Sequence, residues 1–429
     1  MPIPTTVLRL ADALAGTCGL LDRPFATDDL IRLARRRTGL EDFGDVDLGE
    51  PLRRFLDSCA DDASLGVVGR FATRWDVVRF LSNLLRLRAA ERADPTILDE
   101  PIAQPIFITG LPRSGTTFLH RMMLTDPANR APLVYETIYP CPPPPGRRDR
   151  RAARVARQLH TFEALAPEFH ALHPLQATSP QECSEITAHV FRSLRFDTNY
   201  RLPSYRAWLE ADPAGHLPAY QFHRRFLRHL QHQAGRCARP ARWVLKCPDH
   251  LFALDAIRAV YPDARLVFVH RDPVKVLLSV ARLTEVVRRP FSRCLDPKEI
   301  GPEESLRWQE GTQRMIAVGD DAGLPETVCH VHYLDLVSDP VSTVEQLYGH
   351  FGMGLSSTSV RAMEGYAAAQ PNGGYGAHAY HFEDHGLDAE AERKTFLQYM
   401  LRFGVTPETR APQTSPASAG EVGERSEAG

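Results

Sequence analysis

The spacing of apolar positions changes character once along the chain, close to residue 100. Before that point it is helical. Leu52, Phe55, Leu56 and Cys59 recur at i, i+3, i+4 and i+7, and Trp75, Val78, Leu81 and Leu85 do nearly the same. Upstream, Thr27 followed by Asp28 and Asp29 reads as an N-cap with an acidic first turn. Leu30, Ile31 and Ala34 give the stripe, Arg35 to Arg37 suit the last turn, and Gly39 stops it. Residues 1–100 are expected to form a helical region that acts as a cap or interaction surface rather than as the seat of chemistry.

From Pro105 the rhythm is different. Pro105 to Thr109 is a short apolar run that ends in Gly110-Leu111-Pro112, after which Leu119, Met122 and Met123 restart a helical period. Trp243-Val244-Leu245 repeats the event before a helix carrying Leu254, Ile257 and Tyr261. Leu266 to Val269 repeats it before Val274, Leu277, Leu278 and Ala281, and a fourth run spans Val328 to Tyr333. Strands buried on both faces and alternating with helices predict an α/β fold over residues 101–407, three-layered around a central parallel sheet. Ligands of such sheets bind at the carboxyl ends of the strands. The stretch from Pro140 to Arg157 reads as a proline-rich linker and a basic helix, Arg147 to Arg157, with a solvated face. Residues 408–429 lack periodicity and are expected to be a disordered tail.

Charge narrows the function classes. Lys+Arg total 51 against Asp+Glu 53, so the surface as a whole makes no claim on nucleic acid or anionic membrane, and any anion must be held by a local site. Only four of those cations are lysines, Lys246, Lys275, Lys298 and Lys394. The first residues lack a basic segment followed by an apolar stretch, and no run reaches the roughly 18 to 20 apolar residues of a spanning helix. Eight scattered cysteines without metal-like spacing suit reduced thiols, and the expected location is cytoplasmic.

The candidate chemistry starts at Gly110-Leu111-Pro112-Arg113-Ser114-Gly115-Thr116-Thr117, between a predicted strand and helix. Such a loop aims backbone N–H groups and a helix N-terminus at one point, a nest for phosphate oxygens. Thr116 stands where a nucleotide-hydrolysing P-loop carries its lysine, and the cation lies three residues earlier as Arg113. The loop resembles the 5′-phosphosulfate loop of sulfotransferases that use 3′-phosphoadenosine 5′-phosphosulfate (PAPS). Arg271, with Ser279 eight residues on and just after a strand, resembles that family's 3′-phosphate site. Arg282, one turn further, is a possible helper. Val331 to Val337 resembles the segment whose tyrosine lies near the adenine, here Tyr333, although Leu334 stands where the family usually has an acid. Trp243 to His250 resembles the segment whose lysine faces the breaking bond, here Lys246. With RTGLEDFGD, YETIYPCPPPP and SPQECSE the likeness extends over nearly the whole chain except the tail. It implies a P-loop-like sulfotransferase fold of a bacterial branch.

The resemblance implies in-line sulfuryl transfer from PAPS, as co-substrate, to a hydroxyl or amine. The acceptor would be a small molecule, glycan or lipid, with no nucleic acid, no stable membrane insertion and no metal. Arg113 and Lys246 would neutralise developing charge while Ser114, Gly115, Thr116 and Thr117 cradle the 5′-phosphate. For the base, Glu136 fits the spacing of the tyrosylprotein and heparan branches, Glu182 and His250 remain alternatives, and Pro248 replaces the histidine of the steroid branch. His378 or Tyr380, in the glycine-rich segment 373–380, could close over the 3′-phosphate. His378, His381 and His385 share a spacing that would suit a metal only on a helix, which the preceding glycines oppose. A divergent P-loop kinase and a PAPS-binding protein without turnover are the alternative readings.

Overall fold

In the computed structural model, which describes residues 5–144, 146–235, 242–319, 326–369 and 381–408, five strands form one sheet. They are β1 (Ile106–Gly110), β2 (Asn129–Arg130), β3 (Arg242–Lys246), β4 (Arg265–His270) and β5 (Val328–His332), in the order β2-β3-β1-β4-β5. Every pairing is parallel. Because β1 is central and the chain later adds strands on both of its sides, the carboxyl ends of β1, β3 and β4 face one crevice.

Alternation along the strands divides the interior in two. Ile106, Ile108, Val244, Val267 and Val269 join an apolar cluster with Leu119, Met122 and Met123 of the helix Thr116–Met123 and with the C-terminal helix pair around Leu347 and Met363. Phe107, Leu245, Leu266 and Phe268 point the other way, into a larger cluster. That cluster includes Leu30, Phe55, Phe80 and Leu84 of the N-terminal helices Thr27–Thr38, Gly49–Asp61 and Val67–Ala93. The helical N-terminal region therefore shares its core with one face of the sheet. Phe55 packs on Phe196 in a tilted pair, with ring centroids 4.1 Å apart, and Phe80 meets Phe191 and Phe196 edge-on. Truncating such a ring costs about 3–5 kcal/mol.

Three local expectations need correction. Thr27 opens its helix and Ala26 is the N-cap, while Gly39 ends it in the left-handed conformation as expected. The two-residue β2 carries no apolar run and exists through its pairing with β3, so periodicity alone passes over it. The basic helix runs Arg151–Leu165, later than Arg147 to Arg157, and just ahead of it Asp149 accepts the Arg151 N–H at 2.9 Å in a local turn that competes with helix. The glycine-rich segment with His378 and Tyr380, and residues 409–429 of the tail, lie outside the described residues.

Candidate active site

β1 ends where it must. Gly110 has φ 137°, and a Cβ there would lie 2.3 Å from the Val269 carbonyl of β4, so only glycine lets the chain leave the sheet at this point. The following loop bends through Arg113 (φ 61°) and Gly115 (φ 85°) before the helix begins at Thr116. A side chain on Gly115 would strike the Tyr333 ring, 3.0 Å away, so the tyrosine that follows β5 packs directly on the loop. Within the loop, Ser114 is fully buried and its hydroxyl has no hydrogen-bond partner. A buried polar atom without a partner needs an explanation, and an anion in the nest supplies one.

The two anion motifs meet here. Arg113 donates from Nε to Ser279 Oγ at 3.1 Å and from an Nη to the Leu172 carbonyl at 3.0 Å. Arg271 donates to the Arg113 carbonyl at 2.6 Å, and its guanidinium lies 3.8 Å above the Tyr333 ring. Ser279 reaches this point because it sits on the helix Pro273–Arg288, whose start is capped by Asp272 accepting the Val274 N–H at 3.0 Å. Arg271 also holds a carboxylate in a bidentate grip, with Glu408 Oε1 at 2.7 Å and Oε2 at 3.0 Å. The Glu408 N–H is anchored in turn by Asp272 at 2.9 Å. Arg282 is committed to Glu285 and Glu168, at 2.6 and 2.9 Å.

A second centre lies at the end of β3. Lys246 is only 4% exposed, and its Nζ meets Glu182 Oε1 at 2.5 Å. The segment bearing Glu182 is docked by the Cys183 N–H, which donates to the Lys246 carbonyl at 3.3 Å. Burial pushes the Glu182 carboxyl up, but Lys246 and then His173 outweigh it and hold the group below the usual carboxylate range. Burial lowers His173 to about 4, against the pull of Glu182. His120, buried beneath Lys246 and bound to the Val244 carbonyl at 3.0 Å, is lowered to about 3 by desolvation and then by the lysine.

The other candidate bases fare differently. Glu136 closes the capping box of the helix Val134–Ile138, accepting the Leu133 N–H at 3.0 Å, and pairs with Arg130 at 3.4 Å. Its segment runs beside that of Glu182, since Leu133 and Pro180 form an antiparallel bridge and the Gln181 N–H donates to the Pro132 carbonyl at 2.8 Å. His250 is 0% exposed, with Nδ1 2.5 Å from the Tyr220 hydroxyl and its ring against Phe107. Thr116 is buried at the first turn and Thr117 half-buried beside it. Among the described residues no group of three or more His, Cys, Asp or Glu side chains has metal-holding geometry. No described helix is long and apolar enough to cross a membrane. The contacts of Glu408 and Leu172 with the two arginines carry no sequence signal, because each joins segments far apart in the chain.

Residues 105–357 match the model of the sulfotransferase family. Among characterised proteins, the omega-hydroxy-beta-dihydromenaquinone-9 sulfotransferase Stf3 of Mycobacterium bovis is 26% identical over 276 residues, which make up 61% of this chain and 66% of that protein, just under two thirds of its length. The crystal structure of the sulfotransferase STF1 from Mycobacterium tuberculosis superposes with a TM-score of 0.72 at 31% identity, covering 87% of this chain and 99% of that one. That of STF9 from Mycobacterium avium gives 0.80 at 26%, covering 90% and 98%. The family model spans more than half of the chain, beginning one residue before β1 and ending beyond Tyr333. The chain belongs to the sulfotransferase family.

Proposed function

We propose that the protein transfers a sulfuryl group from PAPS to a hydroxyl or amine by in-line displacement. The observation that carries the reading is the meeting of Arg113, Ser279, Arg271 and Tyr333 around one loop, beside a strand end where a buried lysine holds a carboxylate. The residues fit the co-substrate. The unpartnered Ser114 hydroxyl and the loop amides through Thr116 and Thr117 suit the 5′-phosphate, with Arg113 beside them. Arg271 and Ser279 suit the 3′-phosphate, and Tyr333 the adenine. The bidentate grip on Glu408 supports the phosphate role, since the same fork that takes two carboxylate oxygens takes two phosphate oxygens. Glu408 must leave for that exchange.

In the transfer, a bond forms between the acceptor oxygen and sulfur as the bond from sulfur to the 5′-phosphate oxygen breaks. The acceptor proton goes to a carboxylate, and adenosine 3′,5′-bisphosphate (PAP) leaves. Lys246 meets the charge that grows on the bridging oxygen. Glu182 is favoured as the base over Glu136, whose carboxylate is engaged in capping its own helix. The pair also couples the two tasks. When Lys246 turns toward the bridging oxygen, the burial that raises Glu182 is no longer outweighed, and the carboxylate becomes a better proton acceptor at the moment it is needed.

For the acceptor, a small lipid-like alcohol is the reading that the named substrate of Stf3 supports. Half-buried Tyr135, Tyr139, Leu159 and Phe162 lie on the elements next to Glu136 and Glu182, and their apolar surface fits such a molecule. A cytoplasmic location is consistent with the seven described cysteines, all free thiols. The experiment is transfer of label from PAPS to a lipid extract, with the product identified by the mass increment of one sulfuryl group. The expected result is transfer that Lys246→Ala abolishes while PAP still binds. PAP binding without transfer to any acceptor pool would instead favour a binding protein without turnover, and phosphoryl transfer from ATP would favour a kinase.

A further inference from the structure

The long N-terminal helix Val67–Ala93 presents Asp76, Arg79 and Asn83 on one buried face, at i, i+3 and i+7. Arg79 pairs with Asp76 and with Glu185, both at 2.7 Å. Arg195 closes the ring from the other side, 3.1 Å from Asp76 and 2.8 Å from Glu185. Two carboxylates and two guanidiniums thus alternate in the interior. Yet the ring is imperfectly satisfied, because Arg79 Nε and Nη1 find no hydrogen-bond partner and face the Trp75 and Phe80 rings. Buried ion pairs of this kind are a poor source of stability, since apolar groups of equal volume often serve as well or better. Their value lies in fixing where the attached segments sit.

What is attached is the catalytic margin. Glu185 is three residues past Glu182, on the short helix that follows it. Asn83 does the same for the neighbouring segment, donating from Nδ2 to the Ile138 carbonyl at 3.0 Å, two residues past Glu136. The same amide lies 3.1 Å from His189 Nε2. His189 Nδ1 faces the carbonyls of Glu185 and Ile186 at 3.0 and 3.2 Å, so Nδ1 carries the proton and Nε2 accepts from Asn83. Asp76, Arg79, Asn83, Glu185 and His189 are all buried. One helix face therefore grips both carboxylate-bearing segments, each within three residues of its carboxylate.

We propose that Arg79 and Asn83 are positioning residues of the transferase reaction, holding the Glu182 carboxylate in register with Lys246 from a helix outside the α/β unit. The inference rests on the reading of Glu182 as the base. A displacement of about 1 Å far from the reacting atoms can cost on the order of 100-fold in rate.

A double-mutant cycle with PAP binding as the count of intact sites tests it. Glu182→Gln is measured first, because wild-type turnover in that variant would overturn the base assignment itself, whatever Arg79 does. Arg79→Met is expected to lower kcat per PAP-binding site about 10- to 100-fold, with the Kd for PAP unchanged to within about twofold. In the Glu182→Gln background the same substitution is expected to change kcat by less than about twofold, since its effect runs through the carboxylate. Arg79→Lys should recover part of the loss. If Arg79→Met does not fold, Arg79→Lys and Asn83→Ala carry the same cycle. Losses that multiply in the double variant, or PAP binding that falls in parallel with kcat, would overturn the positioning role and leave a purely structural one.

Discussion

The two halves of the site are built by opposite means. The side proposed for the nucleotide is assembled from short motifs whose spacing is local: the loop from Gly110 to Thr117, and Arg271 with Ser279 two helical turns on. The side proposed for the acceptor joins residues that no local pattern connects, Lys246 with Glu182 across 64 positions, and Glu185 with a helix that ends at Ala93. The first half is a property of single strand-to-helix turns. The second is a property of how the layers pack.

That contrast can be broken at several strengths. The largest expected effect is on the acceptor side: Glu182→Gln should lower kcat by about 100- to 10,000-fold, as loss of a general base does, with PAP affinity retained in a calorimetric titration. Comparable loss of PAP binding would mean that the halves are not separable. Next comes Arg271→Ala, expected to weaken PAP binding about 10- to 100-fold, the cost of a lost charge-assisted pair. Weakening by Ser279→Ala should be smaller, and unchanged affinity in both variants would remove the 3′-phosphate assignment. Glu408→Gln should act in the opposite direction and tighten PAP binding a few-fold, roughly the net worth of the ion pair it loosens. Weaker binding would show that Glu408 supports the site rather than occupying it.

Smaller still are two stability effects that separate the carboxylates. Glu136→Ala should lower stability by about 0.5–2 kcal/mol through loss of its cap, measured by denaturant titration, while kcat falls far less than in Glu182→Gln. Glu182 carries a pH signature. Its folded-state pKa is depressed, so its stabilising contribution is present above the ordinary carboxylate range and is lost as pH falls through the depressed value. The gap in Tm between wild type and Glu182→Gln should therefore close on acidification. A gap that widened in acid would contradict the lysine contact.

Legibility in the sequence followed the same division. The four long strands announced themselves as apolar runs, and their alternating neighbours as helices, because burial on both faces leaves a mark in every residue. β2 left none, since two residues held by pairing with β3 need no apolar side chains. Arg113, Arg271, Ser279 and Tyr333 are singled out in the sequence by their resemblance to the family's motifs, and in the fold they meet around one loop. For the base, the resemblance to the tyrosylprotein and heparan branches favours Glu136, and the proposal of Glu182 instead rests on a tertiary contact with Lys246 that no local pattern announces. The contact of Arg271 with Glu408 and the grip of Arg79 on Glu185 depend on distances between remote segments, for which sequence carries no period or motif.

The division of β1 between two interiors has a consequence for how this chain can change length. Phe107 faces the core shared with the N-terminal helices, while Ile106 and Ile108 face the other. Insertion or deletion of one residue would turn every side chain of the strand to the wrong face at once. Gly110, pressed against Val269, would lose its place in the same step. Between residues 106 and 117 the chain should therefore accept substitutions far more readily than any change of length, whereas the exposed turn at 146–150 has no such double constraint.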